Sequence, residues 1–226
     1  MKVGVFTCFR NPKPGLVRAC MKSLMRQIHA DWECLAIDDY SDDLAGWNEA
    51  HEASELDPRI TVMSNPQRLG ALVNYLHACR TLNCDILLQL DGDDMLYGSG
   101  AISRIVEEYE GGADFTYGSC QWCSAPGIYQ VYLAKPFRDL RSAKVFSPRS
   151  FSKSLFASVD NAYPNAFLNL GQADDMELTY PILTRAVHPV GIPEILCLIT
   201  VGGTAHQTEL KASKWEEIVS HAEGLT

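Results

Sequence analysis

The sequence predicts an α/β fold, with a mostly parallel sheet and helices on both of its faces. Over residues 1–118, short apolar runs alternate with segments of amphipathic helical spacing, which is typical of a parallel sheet. The run at 85–90 is almost continuously apolar, as expected for a strand buried on both faces. The chain has 226 residues, 46% of them hydrophobic, which is enough for one large core.

The predicted elements of the first half follow in order. Strands are expected at 2–7, 33–38, 59–64, 85–90 and 114–118. A helix after the Pro/Gly break at 11–15 should bury the stripe Val17, Cys20, Leu24 and Ile28. The helix at 70–82 should turn Val73 and Leu76 inward, and the one at 101–110 should bury Ile102, Ile105, Val106 and Tyr109.

The second half is predicted to be less regular. Residues 119–148 contain prolines and a glycine and read as loops. Helices are expected at 151–159, 174–183 and 212–222, and a strand at 192–201. Pro181 should kink or end the second of these helices, because proline removes a helical hydrogen bond.

Charge and composition narrow the functional classes. The net charge is −9, and residues 1–118 carry 10 basic against 18 acidic side chains, so a nucleic-acid acceptor is not favoured. The apolar runs fall short of a membrane span, and no signal peptide precedes the first strand. We expect a cytoplasmic protein, or one peripheral to a membrane, with its eight cysteines reduced.

The most informative motif is a group of three carboxylates, Asp91, Asp93 and Asp94, directly after the apolar run. Such charges repel one another unless a cation or donor-rich ligand lies among them. Oxygen ligands suit Mg²⁺ or Mn²⁺, so the motif predicts either a metal site or a solvated acidic turn. Thr7, Asp38 and Asp39 follow other predicted strands, and ligands of parallel sheets bind at those strand ends.

Two common nucleotide-binding motifs do not occur. No Gly-x-Gly-x-x-Gly follows the first strand, which disfavours a dinucleotide-dependent oxidoreductase. No Gly-Lys-Ser/Thr signature of a P-loop enzyme occurs either.

Several segments together resemble family 2 glycosyltransferases, which are inverting enzymes of the GT-A fold that use nucleotide-diphospho-sugars. The matching segments, in order, are 3–11, Gln27, 35–43, 65–74 and 90–96. The resemblance covers residues 1–118 and continues more weakly to about residue 205. It implies a single GT-A domain over 1–226, with a nucleotide-sugar-binding half at 1–118 and an acceptor-binding half at 119–226.

The resemblance also implies residue roles. Thr7, Asp39, Arg68 and Asp91 match positions that bind the nucleotide-sugar, and Asp93 or Asp94 would bind the metal that bridges the diphosphate. From the residues alone, Thr7 and Arg68 also suit a strand-end cap and a surface cation.

Asp175 matches the catalytic base of the family, within the segment 171–178. Carboxylates also stabilise the first turn of a helix, so capping is the alternative for Asp175. His206, in the segment 202–207, matches a loop histidine that can complete the metal site, or it is a surface histidine.

Six cations lie between residues 135 and 153. This basic segment is interpreted either as a solvated loop or as a segment that holds the leaving diphosphate or an anionic acceptor. Its members are Lys135, Arg138, Arg141, Lys144, Arg149 and Lys153.

The sequence therefore predicts a metal-dependent inverting glycosyltransferase with Mn²⁺ or Mg²⁺ as cofactor. A UDP-sugar is the favoured donor, and the acceptor is expected to be a hydroxyl of a glycan, a lipid-linked sugar or another molecule. A GT-A-like sugar-phosphate nucleotidyltransferase and a non-catalytic nucleotide-sugar-binding domain are the alternatives. The first would need a Gly-rich loop after the first strand, which the segment 8–15 resembles poorly.

Overall fold

A computed structural model describes residues 1–125, 128–162, 166–167, 174–200 and 212–225. The strands in these ranges are β1 (Val3–Phe9), β2 (Trp32–Asp38), β3 (Ile60–Ser64), β4 (Ile86–Gln89), β5 (Met95–Leu96), β6 (Phe115–Ala125), β7 (Ile128–Tyr132), β8 (Arg149–Ser152) and β9 (Pro189–Thr200). The helices are α1 (Leu16–Met25), α2 (Ala45–Leu56), α3 (Ala71–Thr81), α4 (Ala101–Glu110), α5 (Lys153–Ala162), α6 (Asp174–Leu183) and α7 (Ala212–Glu223).

The strands form one sheet in the order β3-β2-β1-β4-β8-β6-β9-β5, and β7 pairs with the outer part of β6. The four strands at one end, β3, β2, β1 and β4, are all parallel. Beyond them β8 is antiparallel to both of its neighbours, while β6 and β9 are parallel to each other. The predicted α/β class with a largely parallel sheet is therefore confirmed.

Each face of the sheet has its own hydrophobic core, because alternate side chains of a strand point to opposite faces. In β1, Val3, Val5 and Phe9 pack on one face against α1 and α4. Phe6 belongs to the other face, whose core also contains side chains of α3, α5 and α6. Helix α7 packs on Tyr180 of α6. Within the described ranges, no helix is long and apolar enough to cross a membrane.

Two inward-facing residues were predicted wrongly in the first half. Helix α1 ends at Met25, so Ile28 lies beyond it and is 71% exposed. In α3 the buried stripe includes Leu72 and Tyr75, and Val73 is partly exposed. The inward stripe predicted for α4 is confirmed at all four positions.

Helix α2 was not predicted, because its sequence is largely polar. Its buried Glu49 explains why it packs where it does: the carboxylate accepts hydrogen bonds from the backbone N–H of Gly15 (2.6 Å) and Arg18 (2.9 Å). These groups lie at the start of α1, where no side chain of α1 itself caps the helix. A carboxylate from α2 thus supplies the N-terminal cap of α1.

The second half is more ordered than its sequence suggests. Strand β6 extends to Ala125 and pairs with β7, where loops were expected. The predicted helix at 151–159 begins as β8 and becomes helical at Lys153. Pro181 does not end α6, which continues to Leu183. Tyr180 and Ile182 on either side of the proline are fully buried, and this packing outweighs the lost hydrogen bond.

Half of the basic segment has specific partners, so a solvated loop is the wrong description for it. Lys153 donates to the carbonyl oxygens of Cys79 and Leu82 at the end of α3. Arg141 forms ion pairs with Glu216 and Glu223 of α7. Arg149 is buried and belongs to the candidate site.

The end of β1 organises the carboxyl edge of the parallel strands. The Phe9 carbonyl accepts the N–H of Asp39 (2.9 Å), and the Cys8 carbonyl accepts the N–H of Gly92 (3.3 Å). The loops after β2 and β4 are thereby fastened to the same two residues. A Cβ at Gly92 would lie 2.8 Å from the Phe9 Cβ and 3.1 Å from the Cys8 oxygen, so this approach requires glycine.

We therefore expect Gly92→Ala to lower the free energy of unfolding by about 1–3 kcal/mol, because the added methyl overlaps backbone that cannot move freely. Gly100→Ala is the matched control, since its Cβ would meet nothing within 4 Å and its φ is −103°. Urea unfolding measures both variants. Equal stability of the two variants would contradict the close approach at Gly92.

Candidate active site

The carboxylate of Asp91 is fixed by side chains from two elements. The Tyr75 hydroxyl of α3 donates to Asp91 Oδ1 at 3.0 Å, and Gln89 Nε2 is 3.4 Å from the same oxygen. Tyr75 is itself held by an edge contact with the ring of Phe6, at a centroid distance of 5.6 Å. Asp91 therefore faces α3, on the side of the sheet opposite α1.

Asp93 and Asp94 are both buried, at 5% and 2% exposure. The N–H of Asp94 closes a turn onto the Asp91 carbonyl (3.0 Å), and its Oδ1 accepts the N–H of Thr200 (2.9 Å). Thr200 ends β9, whose earlier residues pair with β5. Strand β5 directly follows the acidic loop, residues 91–94. The acidic loop is thus clamped between β4 and the end of β9.

Close packing of these carboxylates has an electrostatic cost. Burial raises the pKa of Asp94 well above its usual range, and the charges of Asp91 and Asp93 raise it further. Burial also raises the pKa of Asp91; the guanidinium of Arg149 opposes this shift, and the charges of Asp175 and Asp93 add to it. A nearby cation would remove this cost.

Asp175 lies in the first turn of α6 and forms an ion pair with Arg149, with 2.7 Å between Oδ2 and Nη2. The Arg149 side chain is 9% exposed and that of Asp175 is 35% exposed. Arg149 Nε donates to the Val145 carbonyl (3.1 Å), which fixes the guanidinium, while Nη1 is buried without a partner among the described residues. The same guanidinium interacts electrostatically with Asp91. Arg149 therefore joins the acidic loop to the predicted catalytic base.

Asp39 is held in a separate network at the same edge of the sheet. Its Oδ1 accepts from Asn65 Nδ2 (2.9 Å) and the Leu69 N–H (2.8 Å), and its Oδ2 accepts from the Gly70 N–H (3.0 Å). Burial alone would raise the pKa of Asp39, but these hydrogen bonds and one from Asn74 outweigh it, and the pKa is lowered.

Other predicted site residues lie in different surroundings. Thr7 shares the face of Val5 and Phe9, so its side chain points toward the α1 core, where it is 1% exposed. It lies beside Cys20, whose thiol interacts electrostatically with Asp94 and Asp93, and its role stays a prediction. Arg68 is exposed and directly precedes Leu69, one of the donors to Asp39. Asp38 accepts hydrogen bonds from Ser41 and Ser64 and supports the loop. His206 lies outside the described residues.

The residues present suit a divalent cation, for which they would supply part of the ligand set. Asp91, Asp93 and Asp94 offer hard oxygen donors, and two of them have pKa values raised by burial and by neighbouring charges. Within the described ranges, no group of three or more His, Cys, Asp or Glu side chains is arranged to hold a metal ion. An incomplete set of protein ligands still fits Mg²⁺ or Mn²⁺, because proteins commonly bind these ions through one or two carboxylates together with water and substrate phosphates.

Sequence reasoning missed Arg149 and Tyr75 as site residues. Arg149 was only one member of the basic segment, and its burial follows from its pairing opposite Gln89 across β4 and β8. Tyr75 could have been found from helical spacing, since it follows the buried Leu72 by three positions.

The comparisons with known proteins agree with this architecture. The model of glycosyl transferase family 2 matches residues 4–154, which is more than half of the chain. No curated protein sequence matches the chain.

Among solved structures, TarS of S. aureus superposes with a TM-score of 0.72 at 16% identity, over 96% of this chain and 38% of the TarS chain. Residues 1–349 of TarS in complex with UDP-GlcNAc give 0.72 at 15% identity, over 96% of this chain and 64% of that one. The mannosyltransferase PcManGT of Pyrobaculum calidifontis, in complex with GDP-Man and Mn²⁺, gives a TM-score of 0.68 at 16% identity, over 92% of this chain and 59% of that one. The predicted GT-A fold is confirmed, and this chain spans about two fifths of the TarS chain.

The pKa of Asp39 is lowered and that of Asp94 is raised. Replacing each by a neutral residue in metal-free protein at pH 7 should therefore change the free energy of unfolding in opposite directions. Asp94→Asn should raise the free energy of unfolding by about 1 kcal/mol, because a buried carboxylate with a raised pKa is unfavourable when ionised. Asp39→Asn should lower it by about 1 kcal/mol or more, because it replaces an acceptor that three N–H groups require.

Urea unfolding between pH 7 and 3 checks both signs. Asp39 has a lowered folded-state pKa, so its stabilisation is present above its unfolded pKa of about 3.9 and is lost as pH falls through the folded value. Asp94 has a raised folded-state pKa, so its destabilisation disappears as pH falls from that value toward about 3.9. Shifts of the same sign in the two variants would contradict this description of the site.

Proposed function

Since the chain belongs to glycosyl transferase family 2, as the match over residues 4–154 shows, we propose that it transfers a sugar from a nucleotide-diphospho-sugar to an acceptor hydroxyl with inversion at the anomeric carbon. The observation that carries this proposal is the placement of Asp175, joined through Arg149 to the acidic loop that contains Asp91, Asp93 and Asp94.

The donor half of the reaction uses the acidic loop and the Asp39 network. Two structural neighbours are complexes with UDP-GlcNAc and with GDP-Man and Mn²⁺, which supports a nucleotide-sugar as ligand here. Asp39, with Arg68 beside its network, is our candidate for the base and ribose, and a UDP-sugar is the favoured donor. Asp93 and Asp94, with Asp91 beside them, would hold Mn²⁺ or Mg²⁺, and His206 is a further candidate. When bound, the metal would neutralise charge on the departing nucleoside diphosphate.

The acceptor half uses Asp175 as general base. Arg149 occupies Oδ2 of this carboxylate, while Oδ1 has no hydrogen bond to the described residues. Oδ1 would take the proton of the acceptor hydroxyl as its oxygen forms a bond to C1 of the sugar. The bond from C1 to the phosphate oxygen breaks at the same time, and its electron pair leaves with the nucleoside diphosphate. The transition state has oxocarbenium character, as in other glycosyl chemistry.

We further propose that the acceptor is a glycan, a lipid-linked sugar or a related hydroxyl compound. The screen that identifies the donor is a thermal-shift panel of UDP-, GDP-, CDP- and ADP-sugars with and without Mn²⁺, since a bound ligand stabilises the folded state by mass action. Release of the nucleoside diphosphate then reports turnover. Release of pyrophosphate instead would indicate a nucleotidyltransferase and would contradict the proposal.

Variants of two aspartates should separate binding from chemistry. Asp175→Asn should lower turnover about a thousandfold while the donor still stabilises the protein, because a general base contributes roughly 10²–10⁴ in rate. Asp93→Ala should lose both turnover and the Mn²⁺-dependent stabilisation by donor.

Glu52→Gln is the control, because Glu52 pairs with Arg18 on the exposed surface of α2, and it should behave as wild type. Normal turnover by Asp175→Asn would exclude it as the base. Unchanged Mn²⁺-dependent donor binding in Asp93→Ala would remove Asp93 from the metal site.

A further inference from the structure

Tyr40, the residue directly after Asp39, has a backbone conformation that its side chain does not favour. Its φ is +59°, in the left-handed region. Glycine adopts this region without strain, whereas a bulky aromatic residue there is an outlier that persists only where the surroundings impose it. Tyr40 and Asn11 are the two residues other than glycine with positive φ in the described ranges.

The loop imposes this φ from both sides of Tyr40. Before it, the N–H of Asp39 is bonded to Phe9, and the carboxylate of Asp39 accepts three hydrogen bonds. After it, the backbone and hydroxyl of Ser41 both donate to Asp38. The conformation belongs to the loop, and any residue at position 40 must adopt it.

Asn11 provides an instructive contrast. Its side chain accepts a hydrogen bond from the N–H of Asp42 (2.7 Å) and donates one to the Asp42 carboxylate (2.6 Å). These contacts offset the energetic cost of its positive φ. Asparagine also tolerates this region better than most residues. Tyr40 has no such compensation: its side chain is 51% exposed, and it makes no hydrogen bond or ring contact with the described residues.

The ring of Tyr40 thus makes no hydrogen bond or ring contact with the described residues that would stabilise the fold. Glycine or asparagine at this position would be less strained. Strain of this kind is concentrated at ligand-binding sites. Position 40 adjoins Asp39, the residue proposed for the nucleotide base, at the carboxyl edge where parallel sheets bind ligands. A half-exposed aromatic ring is suited to stack on a planar base.

We propose that Tyr40 is a base-binding residue whose ring stacks on the nucleobase of the donor. This inference rests on the proposed function and deepens it, because it assigns a contact to the base rather than to the diphosphate or the sugar. Stacking of a base on an aromatic side chain typically contributes about tenfold or more to affinity.

The test compares nucleotide binding by Tyr40→Asn, Tyr40→Phe and wild type, measured by calorimetry with Mn²⁺. Tyr40→Asn tolerates the positive φ but removes the ring, and Tyr40→Phe keeps the ring. The probes are UDP, GDP, CDP and ADP, and inorganic pyrophosphate serves as a probe without a base. Tyr129→Asn is the matched control, because Tyr129 is 57% exposed and lies on β7.

For the diphosphate that wild type binds most tightly, we expect the dissociation constant to rise about tenfold in Tyr40→Asn and to change less than twofold in Tyr40→Phe and Tyr129→Asn. Binding of pyrophosphate should change less than twofold in every variant. The melting temperature of Tyr40→Asn should equal or exceed that of wild type, since strain is relieved.

Each other result overturns the inference. Unchanged nucleotide affinity in Tyr40→Asn would show that the ring does not contact the base. An equal loss for pyrophosphate would show that the substitution disturbs the loop, and a melting temperature several degrees lower would show that the ring serves the fold. If wild type binds none of the four nucleoside diphosphates, the proposed function itself is wrong.

Discussion

The candidate site depends on the backbone at the end of β1. This strand lies between β2 and β4, and its last two carbonyl groups accept hydrogen bonds from the loops that follow both neighbours. The Asp39 network and the acidic loop are therefore positioned by main-chain bonds that do not depend on their own side chains. Gly92 allows the second of these approaches. Whatever the carboxylates bind, the sheet sets their positions before the ligand arrives.

The buried carboxylates of Asp39 and Asp94 lie in two different electrostatic environments. Asp39 accepts two backbone N–H groups and an amide, so its charge is balanced within the protein and its pKa is lowered. Asp94 receives one backbone N–H and lies beside two further carboxylates, so its pKa is raised. A charge that hydrogen bonds within the protein satisfy does not require a cation, whereas a charge left unbalanced favours binding of one. The same residue type thus marks two kinds of site.

The parallel half of the fold could be predicted from the sequence because its information is local. Apolar runs and helical spacing identify β1, β2, β3, β4 and α4, and the strand-end rule brings the carboxylates to one edge. Helix α2 was not predicted, because its stabilising contact, from Glu49 to α1, joins residues more than thirty positions apart. Polar composition alone does not reveal such a cap.

The site could be predicted only in part, for a related reason. Asp91, Asp93 and Asp94 form one short motif, whereas Asp175 was identified by resemblance to a family and its role stays a prediction. Arg149 could not be recognised as their common partner, because that depends on β8 inserting beside β4. Thr7 was assigned to the nucleotide-sugar by the same resemblance, and its role also stays a prediction; alternation along β1 directs its side chain to the face of α1, whereas the Asp91 carboxylate faces α3.

The register of β8 couples the two halves of the site. Arg149 and Phe151 share the face that packs against α3 and α6, while Ser150 points to the other face and contacts the Tyr109 hydroxyl of α4. A slip of one residue would exchange these faces and bury the guanidinium against α4. Asp91 and Asp175 would then lose the cation between them and repel each other across a buried space. The pairing of β8 with β4 is therefore the condition under which a carboxylate of α6 can lie beside the acidic loop.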